Sequence, residues 1–102
     1  MSSPPNFYAE ELDHALREHS FGLHDYTIHD ATVLQCLATV TLLEGRKIQI
    51  TLRNMGYSVE SAHQQTIYET IEELLTSASP LFKQKRQELL IKALEKLENM
   101  GM

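Results

Sequence analysis

Four of the five histidines recur at intervals of five residues: His14, His19, His24 and His29. Imidazole is the side chain most often used to hold a transition metal, so the spacing invites a test. Helical metal pairs stand four apart, where side chains stack on one face. Five residues turn a helix by about 500°, which leaves His14 and His19 about 140° apart. On a strand, an odd separation sends His24 and His29 to opposite faces. The spacing suits neither geometry. These residues read as solvent-exposed or hydrogen-bonded histidines, and neither a metal nor another cofactor is expected.

Other catalytic constellations fare no better. Cys36 is the single cysteine. It falls on the apolar side of an alternating segment, where a thiol acts as a small buried hydrophobe rather than a nucleophile. One cysteine cannot form an intramolecular disulfide, which fits a reducing, cytoplasmic setting and leaves the nucleus open. Glu72 and Glu73 are neighbours on a helix and do not face one another. Gly22, Gly45, Gly56 and Gly101 are isolated at predicted turns or ends, so no loop is built to cradle phosphate. No catalytic residue is assigned, and the chain reads as non-enzymatic.

The elements must therefore be positioning something else. The 102 residues, 42% hydrophobic and 23% charged, suit one globular domain over residues 7–102, behind a disordered tail at 1–6. No apolar run approaches the ~20 residues of a membrane span. Met1-Ser2-Ser3-Pro4-Pro5 has neither the basic and apolar regions of a secretory signal nor the glycine that myristoylation requires. Residues 1–44 set Arg17 against seven acids, and residues 45–102 carry eight bases and seven acids, so −6 and +1 make the net −5. Nucleic-acid binders gather their bases into a patch. Here acids dilute them everywhere except around Lys83, Lys85 and Arg86, which argues against nucleic acid.

From Phe7 the pattern is helical, with Phe7, Leu12, Ala15, Leu16 and His19 at three- and four-residue spacing. Gly22 is expected to close that helix in a left-handed cap. The period then falls to two. Leu34, Cys36, Ala38, Val40 and Leu42 occupy the even positions of Val33–Leu43, with polar Gln35, Thr39 and Thr41 between them, and Ile48, Ile50 and Leu52 repeat the pattern after Glu44-Gly45. Asn54-Met55-Gly56 reads as a second turn, Tyr57–Val59 as a short strand, and Asp25–Ala31 as a further edge strand. Thr66-Ile67-Tyr68-Glu69 matches a capping box for a helix using Ile67, Ile71, Leu74, Leu75 and Ala78. Ser79-Pro80 ends it and starts a last helix running to about Asn99, with Gly101 beyond. The result is an α+β fold: an N-terminal helix, an antiparallel three- to four-stranded meander, and two C-terminal helices packed on the sheet.

That last helix is unusual. With Phe82 at 0° and about 100° per residue, Leu89, Ala93, Leu97 and Met100 lie within about 60° of it; Leu90, Leu94 and Ile91 follow near 80°, 120° and 180°. An arc of half the circumference exceeds the ~100° stripe that docks a surface helix on one core. Two arrangements satisfy it. The helix is wedged between the sheet and another helix, or Leu89, Ala93 and Leu97 face the core while Leu90, Ile91 and Leu94 offer a second stripe to a partner's groove.

A resemblance bears on the choice. Glu69-Thr70-Ile71-Glu72-Glu73-Leu74-Leu75-Thr76-Ser77-Ala78-Ser79-Pro80-Leu81-Phe82 resembles the E-T-V-x-x-L-L-x-x-x-S-P-x-Y segment of the GSKIP-domain family. That family is named for the glycogen synthase kinase 3 beta interaction protein. Ile50–Val59 is similar to the family's strand-turn-strand. Leu90-Ile91-Lys92-Ala93-Leu94-Glu95-Lys96-Leu97 resembles both its closing helix and the L-I-x-R-L-E-x-V of the kinase-binding helix of axin. Together these cover roughly residues 38–98. The resemblance implies a small adaptor whose C-terminal helix lies in a hydrophobic groove of glycogen synthase kinase 3, with Leu90, Ile91, Leu94 and Leu97 as the partner-binding residues. Phe82 and Ser79-Pro80 are structural markers. Ala93 stands where the family and axin have Arg, so an ion pair to the kinase there is missing. The longer vertebrate member also anchors the regulatory subunit of cAMP-dependent protein kinase on its first helix. Here that helix carries Asp13, His14, Arg17 and Glu18 with few apolar residues beyond Leu12 and Leu16, which argues against that activity. The domain also occurs inside the clustered-mitochondria proteins, so a structural or interaction role without a kinase partner stays open.

Overall fold

The computed structural model describes residues 7–60 and 66–100. The tail expected at 1–6 and the helix-ending Gly101 lie outside the described residues. Helix α1 (Phe7–Glu18) is followed by a short 3-10 turn (Ser20–Gly22) and four strands, β1 (Leu23–His29), β2 (Cys36–Leu42), β3 (Lys47–Arg53) and β4 (Gly56–Val59). Two helices close the chain, α2 (Ile71–Ala78) and α3 (Pro80–Met100). The strands pair in sequence order, β1-β2-β3-β4, all antiparallel. This is the expected α+β meander, and the further edge strand expected at Asp25–Ala31 is β1.

Period-2 alternation sets which face is buried. Cys36, Ala38, Val40 and Leu42 of β2 lie beside Leu23 of β1, Ile50 and Leu52 of β3 and Tyr57 of β4 in one core, which Leu12 and Leu16 of α1, Ile71, Leu74 and Leu75 of α2 and Phe82 of α3 complete. Phe7, expected on the same helix face, is exposed and packs edge-on against Tyr8. Leu34, expected inside, is exposed because β2 begins two residues later. The intervening loop is a side-chain turn, with the Thr32 hydroxyl accepting from the Leu34 and Gln35 amides at 3.1 and 3.2 Å. Thr51 faces the other way, yet it is buried between its cross-strand neighbours Leu37 and Ser58.

Two expected termini shift. The capping box of α2 is formed by Thr70 and Glu73, not by Thr66 and Glu69: the Thr70 hydroxyl accepts from the Glu73 amide at 3.1 Å, and the Glu73 carboxylate accepts from the Thr70 amide at 3.3 Å. Both segments match the same pattern. The earlier one is diverted because Tyr68 pairs with Tyr57 across a β-bridge, its N–H donating to the Tyr57 carbonyl at 2.7 Å. Ile67 is left exposed, outside the helix. Likewise α1 ends at Glu18, and Gly22 does not adopt a left-handed cap: among the described glycines, positive φ belongs to Gly45 and Gly56. Gly22 has a different role, set by α3.

Candidate functional site

Helix α3 starts where Ser79 and Pro80 place it. Ser79 is extended, as a residue before proline must be, and its hydroxyl accepts from the Phe82 amide at 3.0 Å, an N-cap. A second cap comes from the β2–β3 turn. The Glu44 carboxylate accepts from the Ser79 hydroxyl at 2.8 Å and from the Leu81 amide at 2.9 Å, and Arg46 donates to the Ala78 carbonyl at 2.8 Å. An anion beside free N–H groups at the positive end of the helix dipole is favourable. Burial by itself would raise the Glu44 pKa; the Leu81 amide and Ser79 hydroxyl, helped by its own amide and Arg46, outweigh it and hold the carboxyl below its usual range. The hairpin tip was legible as a turn, but its partnership with a segment 35 residues away was not.

Phe82 then anchors the helix. It is fully buried, stacked on Phe21 at 5.7 Å and close to His19 at 6.0 Å. Burying such a ring stabilises by roughly 1.5–3 kcal/mol. Gly22 makes the seat possible, since a β-carbon there would lie 2.3 Å from Phe82 Cδ1. One turn on, Arg86 pairs with Glu72 of α2.

Beyond Phe82 the helix leaves the body. From Lys83 to Glu98 every residue is exposed except half-buried Arg86. The wedged arrangement is therefore wrong, and so is the assignment of Leu89, Ala93 and Leu97 to the core. Helix α2 contacts β4, and α3 packs through its start on α2 and the 3-10 turn, with Phe82 in the common core. The residues expected to meet a partner are all on the surface: Leu90 at 49% exposure, Ile91 at 56%, Leu94 at 61% and Leu97 at 64%, joined by Leu89 at 40%. The arc is wide because none of its distal half serves the core.

The other candidate residues are dispersed. His14 faces Glu18 at 3.4 Å, His19 Nδ1 lies 2.9 Å from the Ala15 carbonyl, and His29 meets Asp30 and Thr39 at 3.1 and 3.0 Å. His24 sits exposed where the β1–β2 register shifts. Cys36 is buried on the core face, and burial pushes its thiol pKa up, away from the reactive thiolate. An open hollow between the start of α1 and the β3–β4 turn is lined by Phe7, Tyr8, Glu11, Arg53 and Met55. Among the described residues, no helix is long and apolar enough to cross a membrane.

Fold and site together define an α+β module that presents one apolar helix face outside its own core. The family model of the GSKIP domain matches residues 8–97. The chain belongs to the GSKIP domain family. No curated protein matches it.

Proposed function

We propose that this protein is a small non-enzymatic adaptor that binds a glycogen synthase kinase 3-type protein kinase through α3 and modulates its activity. Leu90, Ile91, Leu94 and Leu97 are the contact residues. One observation carries the reading: four large apolar side chains stand half to two-thirds exposed on a helix rooted at its N-terminal end and free beyond it. Such a stripe suits the helix-in-groove mode, in which anchors at three- and four-residue spacing fill a partner's apolar groove. Family membership points to the class of partner.

The test is capture of the kinase by the full chain and by Leu94→Glu. Loss of capture with an unchanged melting temperature supports the proposal. Undiminished capture by the variant removes it. A kinase assay with the captured complex then reads the effect on activity.

One observation favours a second reading. Ala93 lies exposed within the arc and offers no charge where the family motif has Arg. Without that ion pair, an interaction role akin to the domain of clustered-mitochondria proteins, with no kinase partner, is the alternative, and failure of wild-type capture selects it. The proposal does not extend to the regulatory subunit of cAMP-dependent protein kinase. Leu12 and Leu16 of α1 are both fully buried, and the outer face of that helix is charged.

A further inference from the structure

The charges of the projecting segment are sorted by sign. In the frame that sets Phe82 at 0°, residues 88–98 place Leu89, Ala93, Leu97, Leu90, Leu94 and Ile91 on one arc from about 340° through 0° to 180°. Glu98 sits at about 160° between Leu94 and Ile91, and Glu95 and Glu88 follow at about 220° and 240°; Lys92, Lys85 and Lys96 complete the circle at about 280°, 300° and 320°. The apolar face therefore has an acidic edge along its Ile91 side and a basic edge along its Leu89 side. Among the described residues, none of these six charges lies within 4.0 Å of an opposite charge, whereas Arg86, at the root, is tied to Glu72.

Resting on the reading that α3 enters a kinase groove, we infer that the groove has an apolar floor between two rims of opposite charge, acidic beside Lys85, Lys92 and Lys96 and basic beside Glu88, Glu95 and Glu98. The pattern also selects the direction of the helix. Turning a helix end for end in a groove exchanges its left and right edges, so the reversed orientation sets acid on acid and base on base. Like charges brought together in this way disfavour the wrong orientation. From Lys85 to Glu98 the segment spans about 20 Å, between three and four turns, which gives each rim three opportunities for contact.

A second copy of the chain fits this surface less well. A two-helix seam covers a stripe of about 100°, half of the available arc. Antiparallel copies would also place each acidic edge against the same edge of its mate, and parallel copies, which set acid against base, would still leave half of the arc uncovered. A groove covers the whole arc and answers both edges.

The experiment compares the full chain with three variants: Lys92→Glu/Lys96→Glu, Glu95→Lys/Glu98→Lys, and the fourfold exchange, which keeps the net charge at −5. Circular dichroism confirms that helix content is retained, and kinase affinity is measured across ionic strength. Each pair is expected to weaken binding about fivefold or more in low salt, with the difference closing as salt screens the rims. The fourfold exchange weakens binding as well, although its net charge is unchanged. If the three variants bind within about twofold of wild type at every salt concentration while Leu94→Glu abolishes capture, the docking reading stands and the two-rim inference is overturned. If wild type itself is not captured, both fall. A stable dimer that Leu94→Glu converts to monomer would identify a second copy as the occupant and overturn the inference too.

Discussion

Gly22 and Phe82 meet so closely that no side chain could stand between them: a β-carbon on Gly22 would lie 2.3 Å from Cδ1 and 2.9 Å from Cε1 of the ring. The first third of the chain thereby makes room for the root of the last helix. Because Phe82 is the buried anchor of α3, its displacement would loosen the direction in which the docking face projects. Gly22→Ala is expected to cost about 1–3 kcal/mol, as overpacking does. In a domain of this size that lowers the melting temperature by about 4–8 °C per kcal/mol. An unchanged melting temperature would show that Phe82 can move aside freely.

Glu44 gives the root a pH dependence. Burial opposes its ionisation, but the Leu81 amide and Ser79 hydroxyl favour the carboxylate more, so the folded-state pKa lies below the ordinary 4.5. The unfolded state then binds more protons in that window, and stability rises with pH there. The contribution is complete above the unfolded value and is lost as pH falls through the lower, folded value. Glu44→Gln should unfold more easily than wild type at neutral pH, by about 1 kcal/mol for a weakened helix cap. Denaturation curves should converge as the pH drops below about 4.5. A gap that stays constant with pH would exclude the carboxylate as its source.

The two threonines with matching patterns separate cleanly. Thr70→Ala removes the hydroxyl that accepts from the Glu73 amide and should cost about 1 kcal/mol. Thr66→Ala falls on an exposed residue before the β-bridge, where a surface substitution changes stability by no more than about 0.5 kcal/mol. Urea midpoints of the two variants decide whether α2 starts at Ile71.

Phe82 and the distal leucines of α3 should behave as opposites in the isolated protein. Leu90→Ala or Leu94→Ala removes exposed apolar surface and is expected to shift unfolding by less than about 0.5 kcal/mol. Phe82→Ala empties a fully buried site and should cost about 3–5 kcal/mol. A large loss at Leu94 would place that side chain in a core and remove the docking face.

Local pattern carried most of the architecture. Alternation at Cys36, Ala38, Val40 and Leu42 marks a one-sided strand whatever surrounds it, because side chains on a strand point alternately to opposite faces. Ser79-Pro80 marks a helix start for equally local reasons, a side-chain acceptor and a preset φ. The width of the apolar arc on α3, and the sorting of its charges, are likewise properties of the sequence. The meaning of that arc was not. Periodicity says which residues share a face, not what the face meets, so Leu89 and Leu97 read as core until the fold left them uncovered. Tertiary contact decided the rest: Tyr57 took Tyr68 out of the expected helix, Glu44 reached across the chain to cap α3, and Gly22 proved to be a space for Phe82 rather than a helix cap. Each of these depends on residues distant in sequence brought within a few ångströms, and pairwise proximity of that kind has no local signature.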